Sequence, residues 1–352
     1  MSDTIADARM RLLSGGVIPA QPLALDSSRR FDERHQRALV RYHIEAGASG
    51  LAVAVHSSQF SIHDRHRDLL SPLLELVSET TGEYDKPPFL VAGVTGDTAT
   101  ATRTAALAAE LGYDFALLSS YGCGGLEEQE LLERARAVSE ILPVIGFYLQ
   151  PAVGGQYLSQ DYWQRLAEIQ GIVGIKVAPF DRYATLDVLH GLARSGRAED
   201  IALYTGNDDN IIFDLLSEFP TRDRAGEPVR LSFRGGLLGQ WAVWTRAAVH
   251  TLELTRRAKE GDDDALREAL EMSQALTDAN SAIFDARHDF RGVIPGVHEV
   301  LRRHGLLGGT WLLDENEVLS PGQAEEIDRI WDAYPFLRDD TFIAEHLDRW
   351  LN

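Results

Sequence analysis

The sequence predicts an α/β protein, a (β/α)8 TIM barrel followed by a C-terminal helical extension. Apolar runs rich in β-branched residues recur every 26–38 residues, the length of a strand, a helix and two loops. Eight such runs fall within about the first 240 residues, the count that a closed barrel of this kind demands. From about Gly239 the strand-like runs stop and only helical periodicity continues.

The expected strands are Gly16–Pro19, Leu51–Val55, Phe89–Val94, Phe115–Leu118, Val144–Tyr148, Ile172–Val177, Ile201–Tyr204 and Val229–Phe233. Between them Asp32–Ala46, Thr98–Leu111, Glu127–Ile141 and Asp209–Glu218 carry apolar residues at helical spacing. An open doubly wound sheet would also alternate strand and helix. It usually has fewer strands, and no early Gly-x-Gly-x-x-Gly turn is present to support it. After the barrel, helices are expected over Trp241–Lys259, Asp262–Arg287, Val297–His304, Pro321–Ala333 and Thr341–Leu351. Ser320 reads as an N-cap with Pro321 at the first helical position. The expected division is a barrel over residues 1–238 and a helical region over 239–352 packed on it, since the link near Gly235–Gly239 is short.

Composition narrows the function classes. Apolar residues make up 44% of the 352 and charged residues 25%, ordinary for a soluble globular chain. No apolar run reaches the roughly 20 residues of a membrane helix. The charged N-terminus lacks the apolar core of a secretory signal. A cytoplasmic protein is expected. A net charge of −20 argues against nucleic-acid and anionic-membrane partners, which call for basic patches. The single cysteine, Cys123, excludes an internal disulfide framework and a cysteine-rich zinc site.

Of 34 basic residues only three are lysine: Lys86, Lys176 and Lys259. A chain that uses arginine nearly wherever it needs a cation keeps lysine where arginine would fail, and arginine cannot lose its proton. Lys176 lies near the C-terminal end of the sixth run, the end at which barrel active sites are built. By strand alternation Ile172, Gly174 and Lys176 share one face, assigned to the barrel interior, and Val173, Ile175 and Val177 the other. An ammonium in an apolar barrel loses hydration, its pKa falls, and the free amine can attack a carbonyl. A lysine paired with a buried carboxylate, or one snorkelling to the mouth, is the alternative. Tyr148 ends the fifth run and is assigned to the inward face with Val144 and Gly146, where a phenol could relay protons. A tyrosine capping the core reads equally well. His56-Ser57-Ser58 follows the second run, and its hydroxyls and backbone N–H groups could hold a carboxylate. Gly206-Asn207-Asp208-Asp209 and Gly235-Gly236 are placed in the loops after the last two strands, which often bind anions in barrels. A turn with Asp209 as helix N-cap is the competing reading of the first. His56, His63 and His66 cluster after the second run, but no motif such as His-Glu-x-x-His supports a metal, and solvated loop histidines are expected.

These residues resemble the dihydrodipicolinate synthase and N-acetylneuraminate lyase superfamily of class I aldolases, from about Gly15 to Gly239. Tyr148-Leu149-Gln150-Pro151 stands where the family has Tyr-Asn-x-Pro, and Gly174-Ile175-Lys176 where it has Gly-x-Lys; Ala92-Gly93-Val94-Thr95 is similar too. The resemblance implies Lys176 as the Schiff-base lysine and Tyr148 as general acid/base. It implies Ser57 and Ser58 as counterparts of paired threonines that bind a keto-acid carboxylate and join the proton relay. Tyr121, Gly206, Asn207 and Gly235 are the further substrate-binding candidates. It also implies a 2-keto acid substrate such as pyruvate or a 2-keto-3-deoxy sugar acid, no organic cofactor, no metal, and a homo-oligomer, dimer or tetramer. Val153 occupies the place of the synthase branch's arginine, and the loop Ser120-Tyr121-Gly122 keeps one of two tyrosines. Both departures argue against the lysine-biosynthetic activity and leave an aldolase, hydratase-aldolase or dehydratase. A barrel that has lost catalysis and binds a small ligand, and a metal-dependent hydrolase using the three histidines, are the rival readings.

Overall fold

The computed structural model describes residues 3–352. Helix α1 (Asp3–Ser14) precedes β1 (Val17–Pro19), which leads to α2 (Glu33–Glu45). Strand and helix then alternate through β2 (Gly50–Val53), α3 (Leu70–Thr81), β3 (Phe89–Val94), α4 (Thr98–Glu110), β4 (Phe115–Leu118) and α5 (Glu128–Ser139). They continue through β5 (Val144–Leu149), α6 (Gln160–Ala167), β6 (Ile172–Ala178), α7 (Arg182–Arg194), β7 (Ala202–Thr205) and α8 (Ile211–Leu216). Side chains start several of these helices: Asp32, Asp97, Ser159 and Asp181 each accept a hydrogen bond from a backbone N–H of the first turn.

The eighth barrel strand differs from the expectation. The apolar run at Val229–Phe233 does not enter the barrel. It forms β9 (Pro228–Leu231), which pairs antiparallel with β8 (Phe219–Arg222) as a separate hairpin. The barrel is completed by β10 (Gly235–Leu238), whose two glycines give it little strand character in sequence. Close packing demands them: a Cβ on Gly235 would lie 2.1 Å from the carbonyl oxygen of Gly16. Gly235 and Gly236 therefore belong to the strand and not to the loop after it.

All eight barrel strands are parallel, in the order β1-β10-β7-β6-β5-β4-β3-β2. The ring closes between β1 and β2, where Ala20 bridges Ala52 and the Gln21 N–H donates to the Ala52 carbonyl at 2.8 Å. Apolar side chains fill two layers. An inner cluster lies within the barrel, with Phe89 and Phe115 edge to face at 5.5 Å, and an outer cluster fills the space between strands and helices. Leu12 of α1 enters the inner cluster, and the Tyr204 hydroxyl donates to its carbonyl at 2.8 Å, so α1 stoppers the N-terminal mouth. Phe115 is fully buried, and its replacement by alanine should cost about 3–5 kcal/mol, read as a lower denaturant midpoint at unchanged slope.

A β-bulge re-aims the start of β6. Val144 pairs with Ile172 but Ile145 pairs with Gly174, so Val173 is an extra residue. Alternation is broken there: Ile172 joins the outer cluster and Val173 the inner one, the reverse of the expected faces. From Gly174 onward the expected phase holds. Ile175 and Val177 face the helices, while Ala178 faces inward.

Beyond the barrel come α9 (Thr245–Lys259), α10 (Asp263–Ile283), α11 (Val293–Arg303), α12 (Gln323–Ala333) and α13 (Asp340–Trp350). The cap of α12 is Gly322 and not Ser320, whose hydroxyl instead donates to Asp285 at 2.5 Å. Buried polar contacts tie these helices to the barrel. The Tyr42 hydroxyl donates to Asp339 at 2.7 Å, Leu313 N–H to the Gln59 side-chain oxygen at 2.6 Å, and the Asn280 amide to the Asp208 carbonyl at 2.6 Å. Among the described residues no helix is long and apolar enough to cross a membrane.

Candidate active site

A cavity of about 60 Å³ opens at the C-terminal ends of the strands. Its polar lining is Lys176 from β6, Asp208 after β7, His56 and Ser57 after β2, and Gln150 after β5. Apolar walls come from Phe147 and Leu149 of β5, Val153 and Phe180. The end of α10 and the first turns of α11 roof it with Phe284, Phe290, Val293, Ile294 and Val297. Phe180 and Phe290 meet edge to face at 5.5 Å.

Lys176 is 7% exposed, and its Nζ sits 4.2 Å from the centroid of the Phe147 ring. Among the described residues no carboxylate lies within 4.0 Å of that nitrogen. Burial pulls the ammonium pKa down, and the Asp208 carboxylate partly opposes the shift. Asp208 moves the other way: burial pushes its carboxyl up, against the Gln240 backbone N–H, which donates to it at 3.1 Å, and the Lys176 charge. His56 is pulled down to about 4, first by burial and then by Lys176, so its ring is neutral near pH 7. Gly206 clears the lysine's path, because a Cβ there would lie 2.7 Å from both Lys176 Cε and Ala178 Cβ. The Gly206→Ala variant should trap a carbonyl ligand on Lys176 about tenfold more slowly, measured as the rate of adduct formation.

The other expected site residues divide. Ser57 lines the cavity. Ser58 does not: fully buried, it donates to the Gln21 carbonyl at 2.5 Å and fastens the β2 loop to the chain after β1. Tyr121 stands in an outer vestibule and stacks on Phe60 at 4.2 Å. Asn207 is turned away from the cavity. Its amide donates to Thr185 and Asp214 and accepts from the Phe180 N–H at 3.1 Å, which makes it a brace for the β6 and β7 loops. Asp209 is not the cap of α8, a place taken by Asn210. The three histidines do not converge. His63 Nε2 lies 2.8 Å from the Ala54 carbonyl and His66 is exposed. Among the described residues no three His, Cys, Asp or Glu side chains form a group that could hold a metal.

Tyr148 departs most from expectation. Val144, Gly146 and Tyr148 do share a face, but it is the helix-facing one. The Tyr148 ring packs on Trp163 of α6 at 5.0 Å, and its hydroxyl accepts only the Leu158 N–H at 3.4 Å. A Cβ on Gly146 would meet Leu166 of the same helix at 2.8 Å. The inward residue opposite Lys176 is Phe147. Tyr148→Phe should accordingly leave turnover within about threefold of the parent, measured as kcat, since it deletes one long hydrogen bond outside the cavity.

A family model for the dihydrodipicolinate synthetase family matches residues 13–217. The chain belongs to that family. No curated protein matches the chain. Among solved structures it resembles dihydrodipicolinate synthase from Oceanobacillus iheyensis, with a TM-score of 0.74 at 18% identity over 94% of this chain and 100% of that one. N-acetylneuraminate lyase from Fusobacterium nucleatum matches with a TM-score of 0.71 at 17% identity, covering 93% and 100%. The chloride-inhibited dihydrodipicolinate synthase from Acinetobacter baumannii, complexed with pyruvate, matches at 0.68 and 22%, covering 90% and 98%. At these identities the structural likenesses speak to the fold. Membership itself supports a lyase of the dihydrodipicolinate synthase type.

The sequence marks Asp208 only as one residue of a loop that could bind an anion or form a turn, marks His56 as a loop histidine beside Ser57 and Ser58, and assigns no role to the C-terminal helices. Asp208 sat in a run of three polar residues whose competing reading was a helix start. Its separation from Asn207 and Asp209 depends on a loop path that no spacing encodes. The apolar roof was legible only as helical periodicity, which does not say what an apolar face covers.

Proposed function

We propose that this chain is a lyase that joins Lys176 to a 2-keto acid such as pyruvate as a Schiff base, and makes or breaks a carbon–carbon or carbon–oxygen bond beta to the imine. The observation that carries the reading is a nearly buried lysine amine, unpaired among the described residues, aimed into a cavity against an aromatic ring. The free amine adds to the keto carbon and water leaves. The resulting iminium takes up electrons from the bond that breaks and returns them when the enamine is protonated. Neither a metal nor an organic cofactor is needed. Asp208, whose buried carboxyl is pushed up from the ordinary carboxylate range and can therefore both accept and return a proton, is the proton carrier at the substrate oxygen. The Ser57 hydroxyl orients the keto-acid carboxylate. The pyruvate bound by the Acinetobacter baumannii synthase supports the choice of first ligand.

Borohydride trapping with pyruvate, mapped by peptide mass spectrometry, tests this. A reduced adduct on Lys176 is expected, and with only three lysines in the chain the map is unambiguous. The outward tyrosine favours one rival, a barrel that binds a ligand without turning it over. Pyruvate bound with no adduct on Lys176 would establish that rival.

A further inference from the structure

We infer, on the basis of the Schiff-base reading of Lys176, that the acyl fragment beyond the keto acid is apolar: the substrate is a 4-hydroxy-2-keto acid bearing an aryl or alkyl group at C4, cleaved to pyruvate and an apolar aldehyde. The polar side chains of the cavity all come from the strand ends of the barrel. Everything that the C-terminal helices contribute is apolar, namely Phe284, Phe290, Val293, Ile294 and Val297. Phe180 closes on Phe290 from the other side. A polyol chain placed there would bury hydroxyls without partners, and each lost partner weighs against binding.

Charge argues the same way. Among the described residues Lys176 is the single cation lining the cavity, and imine formation commits it to the keto carbon. Val153 stands between the cavity and the vestibule and offers no charge, and the vestibule outside carries Asp314 and Glu317. A distal anion would face two carboxylates at the rim.

The reaction balances within this site. Lys176 and the keto acid form the iminium and release one water. Asp208 takes the C4 hydroxyl proton, the C3–C4 bond breaks with its electron pair moving into the iminium, and the apolar aldehyde leaves. The enamine is protonated at C3 by Asp208, and water hydrolyses the imine to pyruvate and free amine. No oxidant or reductant is required.

The test compares kcat/KM for 4-hydroxy-4-phenyl-2-oxobutanoate, 2-keto-3-deoxygluconate and 4-hydroxy-2-oxoglutarate, alongside borohydride trapping with pyruvate. The phenyl substrate should exceed both others by at least about 100-fold. An adduct on Lys176 with pyruvate but equal or better cleavage of the sugar acid or the diacid overturns the apolar assignment and leaves the Schiff-base reading standing. An adduct with pyruvate and no cleavage of the phenyl substrate does the same. Failure of pyruvate to form any adduct removes the underlying reading, and the substrate assignment with it.

Discussion

Replacement of Lys176 by arginine or methionine abolishes the reduced pyruvate adduct and lowers turnover by at least about a thousandfold, while the barrel stays folded. The two variants separate charge from chemistry. Arginine keeps a cation beside Asp208 but cannot become a nucleophile. Methionine keeps the length and apolar packing over Phe147 and removes a buried ammonium whose desolvation burdens the fold. Both should unfold cooperatively, the methionine variant at a midpoint at or above the parent's, and neither should give an adduct by mass spectrometry. In the parent, adduct formation should also depend on pH with a definite sign. The amine must be neutral to attack, and burial lowers its pKa, so the trapping rate rises with pH and levels off below the range in which an ordinary lysine, near about 10.4, gives up its proton. A profile that is still rising through that range would refute the environment described for Lys176.

Asp208→Asn carries the second large effect. If Asp208 moves the proton, the amide fills the same space, still accepts from Gln240, and cannot shuttle a proton; kcat should fall by about 10²–10⁴-fold. Imine formation should survive, because Lys176 is untouched. The groups facing Lys176 are Asp208, which favours its charged form, and His56, which is neutral. Removing the carboxylate therefore lowers the lysine pKa further and moves the trapping profile to lower pH. A residue that merely held the loop in place would raise KM and lower stability instead. Retention of full kcat in the amide variant would exclude Asp208 as the carrier and return the question to His56 or water.

The gap between what was legible and what was not follows from the physics of a buried parallel sheet. Strand spacing and helical periodicity report which segments are strands and helices, because they record local backbone preferences. Seven of the eight barrel strands fall where the apolar runs stand. The eighth was misplaced because Val229–Leu231 has the stronger strand composition yet pairs with Phe219–Arg222, while the glycine-rich Gly235–Leu238 enters the barrel, where its backbone must approach Gly16 closely.

Faces are a harder problem. A strand buried on both sides is apolar on both, so alternation tells which residues share a face but not which face points in. For β6 the lysine broke the symmetry, and the assignment of Lys176 to the interior stands even though a bulge reverses Ile172 and Val173. For β5 no such marker exists. Phe147 and Tyr148 are both aromatic, and the choice was made by Trp163 and Leu166 on α6, which are distant neighbours in sequence terms and contacts in space.

By itself, then, the sequence determined the barrel, its family and the lysine at the centre of the cavity, because each is written in local pattern, in motif spacing, or in the rarity of one residue type. Tertiary structure alone decided that Tyr148 and Ser58 stand outside the cavity lining, that Asp208 shares the cavity with the lysine, and that helices some hundred residues further along the chain roof it with apolar side chains. Those outcomes depend on how separate elements pack against one another, and packing is a property of pairs of segments that no single stretch of chain records.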